Sequence, residues 1–375
     1  MSAATWSAPG RVNLIGEHTD YNDGLVLPVA LDRRTRVRAA RRDDDLVEVT
    51  SAQTGETVRV PLGTVGPGSP AGWSAYAVGV VWALARTGPG PAAGERGLTL
   101  HVDSDVPLGA GLSSSAALEC AVALAVDDLW GLGLGADDAG RARLAEACVE
   151  AENVVAGAPT GGMDQAASLR CRPGHALLLD CRSGAVEHVP CDPAADGLAL
   201  LVIDTRVQHA LADGQYGARR AGCEAAAAAL GVAALRDVHP EVLDAALARV
   251  DPDLRPLVRH VVTETERVRR AAAALRGRDW AALGELFVAS HASLRDDYAV
   301  SCAELDLVVG TALEHGAAGA RMTGGGFGGS AVVLVDRERV EPVTSAVEAA
   351  FASRGLRSPS VREVVPGGPA AREPT

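Results

Sequence analysis

The spacing of apolar residues changes along this chain, and the changes divide it into elements. Over the first sixty residues, short runs rich in Val and Leu (Leu25–Leu31, Thr35–Ala40, Leu46–Ser51, Thr57–Pro61) are cut by Gly, Asp and Pro. That is the pattern of strands joined by tight turns. Tyr76, Val80 and Leu84 then recur at near-helical spacing and predict a helix over Ser74–Arg86. The stretch Thr87–Gly97 is a loop by composition, Leu98–Asp103 a strand, and Pro107–Leu112 a glycine loop leading into an apolar helix over Ser113–Leu129. A second long helix is expected over Ala139–Val155, ending in the glycine-rich Gly157–Gly162. Strands follow at Ala176–Asp180 and Ala199–Asp204, and Leu211–Glu314 is mostly helical and Ala-rich. The chain closes as strand (Ala320–Thr323), glycine loop, strand (Ser330–Val335), helix (Glu341–Ala352) and strand (Val361–Val365). A polar, Pro-containing break at Asp192–Gly197 suggests two domains, 1–196 and 197–375, with a disordered tail from Pro366.

Charge and composition narrow the chemistry. At 375 residues with a net charge of −13, the chain does not suit non-specific binding to nucleic acid or anionic membrane. All 35 basic residues are arginine. The absence of lysine excludes a P-loop, a protein-kinase active site and Schiff-base catalysis, each of which needs an amine. Phosphate chemistry here must rest on backbone, arginine and metal. Seven cysteines without CxxC spacing fit no zinc template and read as reduced cytosolic thiols. With neither a signal-peptide pattern nor a membrane-length apolar run, a cytoplasmic enzyme is expected.

Four constellations carry candidate chemistry. Pro107–Ala117 (PLGAGLSSSAA) sets glycines and serines before an apolar helix, a cradle for phosphate on main-chain N–H groups and a helix dipole. A serine-capped structural loop reads the same way. Gly10–Gly24 packs Glu17, His18 and Asp20 into one short stretch, acceptors and a switchable donor suited to a polyhydroxylated ligand. Asn22-Asp23-Gly24 is also a turn signal in its own right. Gly157–Gln165 presents Asp164 on a glycine-rich turn, suited to a general base, twelve residues after Glu152, a candidate metal ligand. Arg321–Ser330 holds five glycines in the six positions from Gly324 to Gly329, between two strands: a close backbone approach or a plain hairpin. Together they describe a metal-assisted phosphoryl transferase with a polar substrate.

These segments resemble, in order, the motifs of the galactokinase family within the GHMP kinase superfamily. Gly10–Pro28 (GRVNLIGEHTDYNDGLVLP) is similar to the family's signature, Val106–Ala117 to the superfamily's phosphate loop, and Gly319–Gly329 to its third motif. Gln215–Glu224 (QYGARRAGCE) and Ser290–Asp306 (SHASLRDDYAVSCAELD) are similar to further family blocks. The resemblance implies an α+β fold of two domains, the first like domain 2 of ribosomal protein S5 and the second ferredoxin-like, with the active site in the cleft between them. It implies ATP-dependent phosphorylation of galactose at C1, with Arg11 and Asp164 as the catalytic pair. Glu17, His18, Asp20, Gly161, Asp164 and Tyr216 would contact the sugar. Gly109, Ala110, Gly111, Leu112, Ser113, Ser114 and Ser115 would cradle the phosphates, Trp73 would lie near adenine, and Ser115 and Glu152 would hold Mg²⁺. A monomer is expected. Two related activities stay open on the sequence, an N-acetylgalactosamine kinase and a non-catalytic galactose and ATP sensor, although the Ser113–Ala116 stretch that such sensors alter is intact here.

Overall fold

The computed structural model describes residues 4–87, 90–208 and 212–374. Gly88 and Pro89 of the expected loop, Leu211 at the expected start of the helical region, and Thr375 lie outside the described residues.

The amino-terminal part runs β1 (Ala4–Asn13), β2 (Leu25–Val26), β3 (Pro28–Arg41), β4 (Leu46–Ser51), β5 (Thr57–Pro61), α1 (Ser74–Thr87), β6 (Leu98–Ser104), α2 (Ser114–Trp130), α3 (Asp138–Glu150), α4 (Met163–Arg170), β7 (His175–Asp180) and β8 (Val186–Pro190). The rest comprises β9 (Leu198–Gln208), α5 (Ala212–Leu230), α6 (Leu243–Leu247), α7 (Arg255–Gly277), α8 (Trp280–Asp296), α9 (Ala303–Glu314), β10 (Ala317–Thr323), β11 (Gly328–Asp336), α10 (Val340–Ser353), β12 (Ser360–Val364) and β13 (Ala371–Arg372).

Three sheets result: β13-β1-β3-β6-β4-β5, the small β2-β7-β8, and an antiparallel β10-β11-β9-β12. In β4 burial alternates residue by residue, so Val47 and Val49 enter the core and Glu48 does not. Helix α2 is apolar all round and buried along most of its length, as a core helix must be, which fixes its amino terminus rigidly at the cleft. Strand β11 is buried at every position but its last, covered on both faces. The carboxy-terminal sheet and its helices are the ferredoxin-like arrangement that the resemblance implied. A further core cluster joins the two halves: Val12, Leu14 and Leu27 pack with Val268, Phe287 and Val332. The signature segment is therefore seated on carboxy-terminal helices and strand. No helix among the described residues is long and apolar enough to cross a membrane.

Two expectations are corrected. The helix expected over Ala139–Val155 ends at Glu150, and Ala151–Ala156 widens into a π-helical turn that contains Glu152. The tail expected to be disordered from Pro366 is ordered through Glu373–Pro374 and straps the molecule. Gly367 N–H donates to the Ala30 carbonyl (2.8 Å), Ala370 N–H to the Ser168 carbonyl (2.8 Å), and β13 pairs with β1 through Trp6↔Arg372. Arg34 donates to the Gly368 and Pro369 carbonyls, and Ala370 is fully buried. A polar, Pro- and Gly-rich composition signalled disorder, but the order comes from backbone partners on distant strands that no local window contains.

Candidate active site

The phosphate loop lies between β6 and α2. Ser113, the residue before α2, has left-handed backbone geometry (φ 58°), and its side chain does not cap the helix. The first-turn N–H groups are thus left without a side-chain acceptor, the condition for receiving an anion. The Ser113 hydroxyl donates instead to the Asp164 carboxylate. Ala110 and Leu112 anchor the loop: both are buried, and their carbonyls accept from the Ser330 hydroxyl (2.7 Å) and from Arg11 N–H (3.1 Å). Gly111 lies back to back with Gly324 of the third motif. A Cβ on Gly111 would stand 3.3 Å from the Thr323 carbonyl, and one on Gly324 would stand 3.2 Å from the Gly111 carbonyl, both with positive φ. The third motif is a hairpin, and its glycines let it lie against the phosphate loop.

Arg11, nearly buried on β1, bridges this loop to Asp164. Its Nε and Nη2 donate to the two Asp164 carboxylate oxygens at 2.7 and 2.8 Å, and its Nη1 donates to the Gly111 carbonyl at 2.7 Å. Asp164 stands in the first turn of α4, where the helix dipole favours a carboxylate.

A cavity of about 200 Å³ opens beside this pair, and Arg11, Glu17, His18, Asp20, Glu152, Asp164 and Tyr216 all line it. The Glu17 carboxylate, 2% exposed, is fully engaged: Thr323 Oγ1 (3.0 Å) and Gly324 N–H (2.7 Å) donate to Oε1, Asn13 donates to Oε2, and Arg321 Nη2 is ion-paired with Oε2 at 3.0 Å. Burial pushes its pKa up, and the Arg321 guanidinium opposes that. Breaking such a buried pair costs about 3–5 kcal/mol, so Glu17 rivets the signature to the third motif. His18 has its Nδ1 2.9 Å from the Tyr21 hydroxyl and a buried Nε2 with no hydrogen-bond partner among the described residues. Burial lowers its pKa to about 3, so the ring is neutral. Asp20 is pushed up to about 6, first by burial and then by the nearby Asp164 charge. Gly161 stands against Asp20: a Cβ there would lie 2.3 Å from Asp20 Oδ2.

Glu152 accepts from Gln165 Nε2 at 2.5 Å, and Ser115 is near enough to lower its pKa. Burial and then Asp164 raise its pKa to about 7. The same Gln165 nitrogen donates to Glu119 at 2.9 Å, and Glu119 Oε1 and Gln165 Oε1 are buried without partners. Among the described residues no three His, Cys, Asp or Glu side chains converge to hold a metal by themselves. A hard-oxygen pair beside a phosphate loop, crowded with carboxylates that gain from a cation, fits Mg²⁺, which takes one or two protein ligands and completes its shell with phosphate and water.

Trp73 Nε1 donates to Glu56 at 2.8 Å, and Trp73 is not among the described residues lining this cavity. Tyr76, one helical turn on, lines the adjoining cavity of about 540 Å³ together with Phe327 and Gly325, and shares Tyr216 with the first. The sequence reading passed over Tyr76 as core, although in a chain that is 3% aromatic it was a candidate. It also missed Gln165, Arg321 and Glu119. The one acid inside the apolar run Ala116–Val126 was the available signal for Glu119.

Comparison with known proteins agrees with this geometry. The galactokinase galactose-binding signature matches residues 2–41, the GHMP kinases N-terminal domain 75–172, and the GHMP kinases C-terminal domain 271–353. The chain is 54% identical to a galactokinase of Streptomyces coelicolor over 98% of its length and 93% of the relative's. It is 46% identical to a galactokinase of Mycobacterium tuberculosis, covering 95% of this chain and 96% of that protein. The crystal structure of Lactococcus lactis galactokinase complexed with galactose superposes with a TM-score of 0.92 at 31% identity, covering 99% of this chain and 95% of that one. A mevalonate kinase of Methanococcus jannaschii shares the fold alone, at a TM-score of 0.65 and 14% identity over 100% and 99% of the two chains. The chain belongs to the galactokinase family of the GHMP kinases.

Proposed function

We propose that the protein transfers the γ-phosphate of ATP to the C1 hydroxyl of galactose, giving galactose 1-phosphate and ADP. The observation that carries this reading is the double engagement of Arg11, whose guanidinium grips Asp164 and the phosphate loop at once. Phosphoryl transfer proceeds through a loose transition state, so the protein's task is to align acceptor and nucleotide and to neutralise charge. Asp164 would orient the C1 hydroxyl or take its proton, and Arg11 would neutralise charge developing on the transferred group. His18, Asp20, Gly161 and Tyr216 would line the sugar subsite, with Glu17 fixing its wall. Residues 109–115 would cradle the phosphates, with adenine towards Tyr76 and Trp73. Ser115 and Glu152 would hold Mg²⁺, which when bound offsets negative charge on the phosphates. The lobes would be 1–196 and 197–375, the last residues of the second returning as a strap to the first. The enzyme would act as a monomer in the cytoplasm.

Coupled ADP release from purified protein with galactose, N-acetylgalactosamine or no sugar tests the reading. Turnover with galactose is expected. Turnover with N-acetylgalactosamine alone would reassign the substrate, and binding of ATP and galactose without turnover would indicate a sensor.

A further inference from the structure

The cleft leaves one question open about its histidine. A neutral imidazole has one nitrogen that donates and one that accepts, and which is which decides what it can recognise. Two stretches outside the phosphate and sugar loops supply the answer. Cys223 of α5 has its Sγ 3.1 Å from the Tyr298 hydroxyl, which lies 2.9 Å from the Tyr21 hydroxyl, which lies 2.9 Å from His18 Nδ1. The row is walled in: the Tyr298 ring is 4.7 Å from the His18 ring and 4.5 Å from the His260 ring. Asn22 holds the His18 backbone in place, donating from Nδ2 to the His18 carbonyl at 2.9 Å.

Each thiol or hydroxyl in this row carries a single proton, so the protons must all point the same way. Pointed away from His18, a phenol proton would end on a thiol sulfur, a weak acceptor, and the thiol proton would be turned off the row. Pointed towards His18, the best acceptor of the set, an imidazole lone pair, receives a phenol proton, and the weak S–H donor serves only to start the row. The phenol–phenol link is the same in both orders, and the second arrangement is the better matched at the His18 end.

We propose that Cys223, Tyr298 and Tyr21 form a proton-ordered chain that fixes His18 as its Nε2–H tautomer, so that the partnerless Nε2 presents a donor to the cleft. Tyr298 and Cys223 are positioning residues: they act on the ligand only through His18. The ligand atom meeting Nε2 must offer a lone pair, as a sugar hydroxyl or ring oxygen does. This deepens the galactose-kinase reading and rests on it for the identity of the ligand.

The test uses the full chain labelled with ¹⁵N-histidine, with His18 assigned by difference against His18→Gln. Two-bond ¹⁵N–¹H correlation at neutral pH should show the proton of His18 on Nε2 in ligand-free protein. Tyr298→Phe keeps the ring and breaks the row; it should mix the tautomers and raise KM for galactose about three- to ten-fold, the worth of one neutral hydrogen bond. Its kcat and KM for ATP should stay within about twofold of wild type. Cys223→Ser, which keeps a donor at the head of the row, should behave as wild type. A proton on Nδ1 in the wild-type spectrum overturns the chain even if no variant folds, as does a Tyr298→Phe protein whose two KM values rise together. Failure of the wild type to phosphorylate galactose would instead overturn the parent reading, because the spectrum reports the tautomer whichever ligand binds.

Discussion

Replacing Gly161 by alanine adds one methyl group, and the structure says where it goes. The new Cβ would lie 2.3 Å from Asp20 Oδ2 and 2.5 Å from its Cγ, about 1 Å inside van der Waals contact. Gly161 does not need the left-handed backbone region, unlike Gly162 with its φ of 92°. Alanine therefore costs no backbone strain, and the perturbation falls on the Asp20 carboxylate. If Asp20 accepts a hydrogen bond from the sugar, displacing it by this distance forfeits a contact worth about 1.5–3 kcal/mol, as bonds to charged groups are. That corresponds to roughly a 10- to 150-fold fall in kcat/KM for galactose. KM for ATP should hold, since the three atoms nearest the new methyl all belong to Asp20. Steady-state kinetics with each substrate varied in turn would measure both. A double-mutant cycle locates the cause: in an Asp20→Ala background the carboxylate is gone and the new methyl meets only the Cβ of residue 20, at 2.9 Å, so Gly161→Ala should lose most of its effect. A single variant with wild-type kcat/KM, or one whose full effect persists without Asp20, would refute the reasoning.

Other perturbations separate the remaining parts of the site. Asp164→Asn keeps the shape but removes the acceptor charge opposite Arg11; kcat should fall by about 10³-fold or more, while calorimetry shows nucleotide still binding. Asp20 is raised from 3.8 to about 6, so the native state holds a proton that the unfolded chain releases first, and stability falls as pH rises through that window. Asp20→Asn should therefore be more stable than wild type at pH 8, by at most about 3 kcal/mol; the gap should close below about pH 4, as denaturant melts across pH would show. Ending the chain at Val365 removes the strap, with its bonds to Ala30 and Ser168 and its pairing with Trp6. A lower urea midpoint is expected, for a loss of about 2–4 kcal/mol of unfolding free energy once the entropy of ordering the segment is set against those bonds.

How much of this was legible in the sequence depended on whether a signal was local. The apolar run of α2 and the turn residues around β4 and β5 are local patterns, and those elements formed where periodicity placed them. The residues that the motifs nominated, Arg11, Glu17, His18, Asp20, Glu152 and Asp164, stand around one cavity. What stayed hidden was pairing at a distance. Nothing near Glu17 says that its carboxylate is held by Arg321, 304 positions later, and nothing in the tail says that Gly367 donates to Ala30. The π-helical turn at Glu152 was equally invisible, because periodicity over Ala139–Val155 reads as one continuous helix. Trp73 was nominated on resemblance alone, and Tyr76, which lines a described cavity, went unnamed as a site residue.

A chain without lysine must make its anion site from other parts, and the geometry of Arg11 shows what arginine contributes. Three separate guanidinium nitrogens serve three acceptors: both Asp164 oxygens and the Gly111 carbonyl. An ammonium group is a point charge on a flexible stem and cannot hold a planar carboxylate and a loop carbonyl in one fixed fork. Here the fork ties the acid that would face the acceptor hydroxyl to the loop that would face the phosphates. The third motif then pins that loop from behind through Gly111 and Gly324, and Glu17 pins the third motif to the signature. A shift in any of these contacts is thus passed to the spacing between Asp164 and the helix amino terminus, which is the dimension that in-line transfer depends on.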